Sequence, residues 1–459
     1  MTFRRLFAAA VSAMLCGTGG AGASPAPDDG IAAMVSGVSP ARLRTIDETL
    51  VGFGTRNLFS ESLHSQTRGV FAARDWIRAQ FERIAATSGG RMTVAFDEYL
   101  QPKTAYTPRD VEVSSVIATL RGTDPSAPVY VMSSHYDSRN SHGNDATKDA
   151  PGADDNGSAV SAVLEAARVM APHRFRSTIL FAAYDGEEQG LFGSAHHAKT
   201  LHDAQTNVGG DLNNDIVGAS TDWHGHDFPY VVRLYSESLP AGADVRSVDR
   251  AASENDAPSR ELARFVQDAA AKFVPQMHVE LVFMEDRFGR GGDQQSFTDL
   301  GYPGVRFVEP YEDYNHQHQD VRVEHGVQYG DLPQFEDFAY LARVTQVNVA
   351  ALASLADSPD PPQSVQMNAN GFCFGSELRW NASAGRSYEV LWRPTTAADW
   401  EHVVPVGTQS HVFLRVDKDH ALLAVRSVDA QGRRSVAIYP ALARPKGTPG
   451  LSDSLCHTF

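Results

Sequence analysis

The chain has 459 residues, of which 42% are hydrophobic, and its 40 Lys and Arg against 56 Asp and Glu give a formal net charge of −16. This length favours two domains, and the hydrophobic content is typical of a globular protein. The excess of negative charge argues against a general nucleic-acid partner and against a general affinity for anionic membranes.

Residues 1–23 have the pattern of a secretory signal peptide. Arg4 and Arg5 precede a short apolar run from Leu6 to Cys16, and small residues up to Ala23 follow it. The run is too short to span a bilayer, and no other apolar run is long enough. We therefore expect export to a periplasmic or extracellular location, without membrane insertion. Residues 24–40 are rich in Ala, Pro, Gly and Asp, which predicts a flexible segment or a pro-segment.

Residues 41–357 alternate between strand-like and helix-like patterns, beginning with a helical pattern up to about Gly90. This alternation predicts an α/β fold, a three-layer sandwich with a mixed, largely parallel central sheet. The strand-like runs are 92–96, 111–120, 129–134, 177–184, 210–217, 230–235, 278–283 and 304–308, and the later helix-like runs are 157–170, 259–274 and 334–355.

The sequence pattern changes after a Pro-rich linker at 358–364. Short alternating runs follow at 377–380, 387–393, 411–415, 422–428 and 435–439, which predicts a small all-β sandwich over 365–459. The order of its Trp, Tyr-x-Val and Ala-Val-Arg-Ser-Val strands resembles a fibronectin type III domain. Cys373 and Cys456 form the one pair of cysteines left after export, which suggests a disulfide.

Polar residues follow several predicted strands, where an α/β sheet places its sites. His135 and Asp137 end one strand, and their spacing of two puts them on one face, so that Asp137 can hydrogen-bond the imidazole. Glu187 and Glu188 follow the apolar run 177–184 and point to opposite sides, which favours different tasks. The other such groups are Asp154 before a predicted helix, Asp215 after Asn213-Asn214, and the segment 309–320 with His316 and His318.

Each group alone has a simpler interpretation as a solvated turn or a helix N-cap. Together they supply two histidines, three carboxylates and a spare glutamate, which suits a zinc pair with a proton acceptor.

The motifs and their order resemble the secreted zinc aminopeptidases related to bacterial leucyl aminopeptidase, aminopeptidase Y and glutamate carboxypeptidase. The resemblance covers about residues 100–350. It rests on the His135-Tyr-Asp-Ser motif, on Pro-Gly-Ala-Asp-Asp-Asn-Gly-Ser at 151–158, on Asp-Gly-Glu-Glu-Gln-Gly-Leu-Phe-Gly-Ser at 185–194, and on a late histidine four residues before an acid.

The resemblance implies two Zn²⁺ ions and a peptide or protein N-terminus as substrate. It implies that His135 and Asp215 hold one zinc, that Glu188 and His316 hold the other, and that Asp154 bridges them. It further implies that Asp137 orients His135 and that Glu187 is the general base.

Three departures from the family pattern bear on these expectations. The segment 290–297 lacks a histidine that the family often has there, and Asn315 stands where the family often has a Tyr, with Tyr314 one residue earlier. The oxyanion-stabilising group therefore stays open. His318 competes with His316, and we favour His316 because it lies four residues before Asp320.

Two alternative functions remain from the sequence. One is a glutaminyl-cyclase-like acyltransferase with one zinc, and the other is a non-catalytic binding protein whose β-sandwich adheres to a polymer or cell surface. Arg290 and Arg306 are candidates for binding a substrate carboxylate, although a structural ion pair is the simpler role for each.

Overall fold

The computed structural model describes residues 29–369 and 375–443. The expected signal peptide and both Cys373 and Cys456 lie outside these residues, so the signal peptide and the disulfide stay predictions. Within the described ranges, no helix combines the length and the apolar character that crossing a membrane requires.

The described ranges contain nine α-helices. They are α1 (Asp29–Ser36), α2 (Pro40–Val51), α3 (Val70–Ala85), α4 (Ala159–Met170), α5 (Phe192–Asp203), α6 (Val245–Ala251), α7 (Pro258–Phe273), α8 (Gln294–Thr298) and α9 (Phe338–Asp357). Their starts follow local rules: Ser39 caps α2 and Asp337 caps α9, each with a side-chain oxygen that accepts a backbone N–H of the first turn.

Helix α1 lies within the segment 24–40, for which the sequence predicts a flexible segment or a pro-segment; Asp29–Ser36 form a helix, and the pro-segment stays a prediction. Its apolar residues Ile31, Met34 and Val35 are buried in the main core. Their spacing of three and four places them on one side of the helix, so a segment with many small and turn-forming residues still buries an apolar stripe.

The central sheet has eight strands, which are β1 (Met92–Gln101), β2 (Val111–Leu120), β3 (Val129–His135), β4 (Ile179–Tyr184), β5 (Val208–Asn214), β6 (Val231–Ser236), β7 (His278–Val282) and β8 (Gly304–Val308). Their order is β1-β2-β4-β3-β5-β8-β6-β7. The middle strands β4, β3, β5 and β8 run parallel, whereas β1, β2 and β6 join antiparallel. A separate hairpin pairs β9 (Arg322–Glu324) with β10 (Val327–Tyr329).

Helices cover both faces of this sheet. Along β4, Phe181 and Ala183 belong to the larger core with α4 and α9, whereas Leu180 and Ala182 belong to a second core that includes Ala198 of α5. Alternate residues of a strand point to opposite faces, so a strand buried on both sides is apolar throughout. The expected α/β sandwich is confirmed.

After α9 the chain forms two small sheets. Their strands are β11 (Gln363–Asn368), β12 (Ser376–Asn381), β13 (Ser387–Pro394), β14 (His402–Gly407), β15 (His411–Leu414), β16 (Ala421–Val428) and β17 (Ala441–Ala443), in the orders β15-β12-β11-β17 and β14-β13-β16. Trp380, Tyr388 and Val425 pack in one core between them. The expected strand at 435–439 is replaced by isolated bridges to β16. The fibronectin type III resemblance stays a prediction.

Buried charges join this two-sheet unit to α7 and to Asp256, which lies two residues before α7. The Nη2 atom of Arg393 lies 2.6 Å from Oδ1 of Asp256, and Nη1 of Arg264 lies 3.2 Å from the same oxygen. Trp400 donates its indole N–H to Glu261 at 2.9 Å. All four charged side chains are buried, so the two parts of the molecule share a buried polar contact.

Candidate metal centre

The polar residues of the candidate site meet at the carboxyl ends of the parallel strands. His135 is the last residue of β3, Glu187 and Glu188 lie in the turn after β4, and Asp215 directly follows β5. Parallel strands present these ends at one edge of the sheet, which is where open α/β sheets bind their ligands.

One group of possible metal ligands contains His135, Asp155 and Asp215. The Nε2 atom of His135 lies 3.2 Å from Oδ1 of Asp155 and 3.6 Å from Oδ1 of Asp215. All three residues are buried, and their ligand atoms lie within 4.8 Å of one another. This spacing leaves room for one cation among the three.

A second group contains Asp155, Glu188 and His318. The Nε2 atom of His318 lies 2.8 Å from Oδ2 of Asp155 and 3.0 Å from Oε1 of Glu188. Asp155 therefore belongs to both groups and turns one carboxylate oxygen to each, which is the geometry of a carboxylate that bridges two metal ions.

The donor atoms fit zinc. Nε2 of His135, Oδ1 of Asp215 and Oε1 of Glu188 are buried, and within the described residues their contacts with the facing atoms of each group do not have hydrogen-bond geometry. Burying such atoms unpaired is costly, and a cation would supply the missing partner. Imidazole nitrogen and carboxylate oxygen are both zinc ligands.

The charges of the site agree with this fit. Burial disfavours the ionised form of Asp155, but contacts with His135 and His318 outweigh it and hold the pKa of Asp155 well below its usual range. For His318, burial disfavours the protonated form, but Glu188 and Asp155 raise its pKa to about 10. A proton on this imidazole and a metal ion compete for the same lone pair, because a ligating histidine is neutral.

Asp137 supports the ligands from behind. Its carboxylate accepts the backbone N–H groups of Glu187 at 3.1 Å and Glu188 at 3.2 Å, and its Oδ1 lies 3.3 Å from Nδ1 of His135. Asp137 thus fixes the imidazole and the turn after β4 relative to each other, as expected for a carboxylate behind a metal-ligating histidine.

Glu187 belongs to neither group of possible metal ligands. Burial raises the pKa of Glu187, the charge of His135 opposes this, and the carboxylates of Asp215 and Glu188 reinforce it. A carboxyl group with a raised pKa beside a candidate metal centre is suited to accept and return a proton.

Asp154, which the resemblance implies as the bridging ligand, lies outside both groups of possible ligands. Its Oδ1 accepts the backbone N–H of Gly218 at 2.7 Å, and its carboxyl pairs with that of Glu309. The turn Ala153–Ser158 directs the next side chain, Asp155, at His135 instead. Neighbouring residues of a non-helical turn point in different directions, so the adjacent Asp-Asp pair divides between two environments.

His316 also lies outside both groups. Its ring stacks on Phe335 with centroids 3.5 Å apart, and its Nδ1 lies 3.7 Å from Asp313. Asp320, expected as the acid behind the last ligand, instead binds the Ser141 hydroxyl at 2.7 Å and Lys148 at 3.0 Å. The structure therefore favours the competing histidine, His318.

The two arginines considered for substrate binding make ion pairs. Arg306 is 1% exposed and contacts Asp215 and Asp286, and Arg290 contacts Glu312 at 2.6 Å. Tyr314, a candidate for the oxyanion-stabilising group, is 62% exposed and lies 6.0 Å from the Arg290 guanidinium.

Sequence reasoning missed Asp293 as a member of the site's surroundings. It is buried at the start of α8 with both carboxylate oxygens unpaired, and burial raises its pKa to about 7, against the effect of His135. The only signal in the sequence is its place in the segment 290–297, which departs from the family pattern.

Comparison with known proteins gives one family. A profile of Peptidase family M28 matches residues 115–339. A probable zinc metalloprotease of Leptosphaeria maculans is 44% identical over 422 residues, which are 91% of this chain and 98% of that protein.

Solved structures share the fold at low sequence identity. The LapA aminopeptidase of Legionella pneumophila has a TM-score of 0.55 and 17% identity, and the match covers 73% of this chain and 77% of that one. A glutaminyl cyclase of Macrostomum lignano has a TM-score of 0.51 and 14% identity, covering 72% of this chain and 93% of that one. Both likenesses concern the fold alone.

Proposed function

The chain belongs to peptidase family M28 and is a zinc-dependent hydrolase, and on this basis we propose that it is a two-zinc aminopeptidase that releases the N-terminal residue of peptides. The zinc metallopeptidase expected from the sequence motifs is thereby confirmed at the level of the family. The number of zinc ions and the exopeptidase specificity are parts of the proposal.

The observation that carries the proposal is the division of Asp155 between two ligand groups. His135 and Asp215 complete one group and Glu188 and His318 complete the other, so each has three protein ligands. Catalytic zinc sites keep three protein ligands and leave a position for water or substrate.

The roles of the chain's own residues follow from their positions. Bound zinc supplies polarisation of the scissile carbonyl and makes a water molecule more acidic. Glu187 accepts the proton of the attacking water and returns it to the leaving amine. Asp137 contacts both His135 and the backbone N–H of Glu187, so it fixes the position of the base relative to the metal ligands.

Acidic surroundings support a substrate with a free amine. A cavity of about 330 Å³ lies beside Asp155, and its lining combines the apolar side chains of Ile216 and Phe335 with carboxylates such as Asp222 and Asp313. Among the residues that the structure describes, neither Lys nor Arg contributes to this lining. A protonated N-terminus is attracted to such a place, and its fixed position selects the peptide bond that reacts.

The glutaminyl-cyclase-like alternative shares the fold but is less well supported by the site. A cyclase with one zinc does not need a second complete group of three ligands around Asp155. A non-catalytic binding protein would have no need of Glu187 beside those ligands. For the C-terminal unit we propose attachment to a polymer or a cell surface, in keeping with the export expected from the sequence.

The test is an assay of the purified chain against aminoacyl substrates and their N-blocked counterparts, with and without a chelator, together with zinc analysis. We expect release of amino acids from unblocked substrates only, loss of activity with chelator, and two zinc ions per chain. Cyclisation of N-terminal glutamine without amino-acid release, and one zinc per chain, would replace this proposal by the alternative.

A further inference from the structure

The two carboxylate oxygens of Asp215 have different surroundings. Oδ1 faces Nε2 of His135 and has no hydrogen-bond partner within the described residues. Oδ2 lies 2.7 Å from Nη2 of Arg306. One oxygen is thus left for a metal ion while the other is held by a cation of the protein.

Arg306 is placed to hold that oxygen and cannot reach substrate. It lies in β8, next to β5, and only 1% of it is exposed. Its Nη1 contacts Asp286 at 2.7 Å and also donates to the carbonyl of Gly291. The contacts with Asp286 and Gly291 therefore fix the orientation of the guanidinium. Because its N–H donors lie in one rigid plane, the guanidinium in turn fixes the orientation of the Asp215 carboxylate.

Further polar contacts lead from Asp286 around the site to Asp155, the residue common to both ligand groups. Asp286 binds Arg287 at 2.9 Å, Arg287 and Arg290 bind Glu312 at 2.7 and 2.6 Å, and Arg290 binds Gln317 at 3.2 Å. Gln317 in turn donates to Oδ2 of Asp155 at 3.3 Å. A continuous chain of polar contacts thus links Asp215 to Asp155 through side chains that are not ligands.

We propose that Arg306 is a positioning residue that fixes the carboxylate of Asp215 so that Oδ1 stays directed at the zinc held with His135. This role rests on the proposed metal function of that group. Without the guanidinium, Asp215 would lose the partner of Oδ2 and could rotate, which weakens the first metal group more than the second.

The test substitutes Arg306→Lys, because lysine keeps the charge but offers a point contact instead of a planar fork. We expect the affinity for one zinc ion to fall about 10- to 100-fold, as for other groups that orient metal ligands. Competition with a chelator, with zinc counted per chain, should then show one ion lost at a free-zinc level where the unsubstituted protein keeps two. The value of kcat should fall with it, while KM changes little.

A matched control is Arg393→Lys. Arg393 is also 1% exposed and also contacts a buried carboxylate and a backbone carbonyl, but its carboxylate partner is Asp256, at the contact between the α/β part and the two-sheet unit. It should keep both zinc ions and normal kcat. A milder variant, Asp286→Asn, loosens the clamp while leaving Arg306 in place, and should shift zinc affinity in the same direction by a smaller factor.

Unchanged zinc affinity in both Arg306→Lys and Asp286→Asn would overturn the proposal, as would equal zinc loss in Arg306→Lys and Arg393→Lys. An unsubstituted protein that binds a single zinc would contradict the two-zinc function. In that case an unchanged affinity for the single ion in Arg306→Lys would separately remove Arg306 as a positioning residue.

Discussion

The Nε2 atom of His318 lies 2.8 Å from Oδ2 of Asp155, so this candidate histidine ligand reaches the shared carboxylate from a loop far along the chain. His316, two residues earlier, stacks on Phe335 instead. This contrast separates two residues that the sequence leaves in competition.

His318→Ala should therefore remove one zinc ion and lower kcat by at least about 100-fold, since an empty ligand position disrupts the second group. His316→Ala is the matched control and should keep both ions, because its ring contacts Phe335 and Asp313 and neither ligand group. Zinc analysis and initial rates of both variants decide between them. Loss of zinc in His316→Ala alone would restore that residue as the ligand.

Glu187→Gln should keep the fold and both zinc ions and lower kcat by about 100- to 10,000-fold, the usual contribution of a general base. The amide retains the shape of the side chain but cannot accept the proton. Glu188→Gln is the comparison, because the neighbouring carboxylate belongs to a ligand group and its loss should reduce zinc content. Near-normal turnover in Glu187→Gln would remove Glu187 as the base.

Protonation of His197 should make the free energy of unfolding depend on pH. Its ring is buried, and Nδ1 lies 2.9 Å from the Tyr184 hydroxyl; burial lowers the pKa of His197 to about 4, against about 6.5 in an unfolded chain. The unfolded chain binds the proton first, so this stabilisation is complete above about pH 6.5 and is lost as the pH falls to about 4.

The size of this effect is about 3 kcal/mol, from about 1.4 kcal/mol for each pKa unit. Urea unfolding of the native sequence and of His197→Gln, at pH 7 and at pH 4, measures it as a difference between the two proteins. The native sequence should lose more stability than the variant on acidification. Parallel losses in the two proteins would show that His197 does not titrate in this way.

Asp256→Asn should destabilise the whole molecule. Asp256 is buried against Arg393 and Arg264, and removing one member of a buried ionic cluster costs about 3–5 kcal/mol. Glu48→Gln serves as control, because the Arg44–Glu48 pair is exposed and worth about 0.5 kcal/mol or less. Equal urea midpoints for the two variants would mean that the interface contributes little.

Much of the site's location is predictable from the sequence. The apolar run that forms β4 is buried at every position, and the acidic turn after it can lie only at the end of that strand. Because parallel strands bring such ends together, the contributions of His135, Glu188 and Asp215 follow from their positions after strands.

The choice between neighbouring side chains is not predictable in this way. Asp154 and Asp155 occupy one irregular turn, and its backbone angles decide which carboxylate faces His135. His318 has a positive φ of 53°, a conformation that spacing to Asp320 does not reveal. The role of Arg306 depends on Asp286, which lies twenty residues earlier in the chain, in the loop between β7 and α8.

The contact between α7 and the two-sheet unit has a consequence for how the protein is made. Asp256 precedes its partner Arg393 by 137 residues, and Glu261 precedes Trp400 by 139. During translation the α/β part leaves the ribosome first, before Arg393 and Trp400 are available as partners, and proteins of this size fold part by part from the N-terminus. The α/β part therefore gains the stability that this contact contributes only after the last sheets have been synthesised.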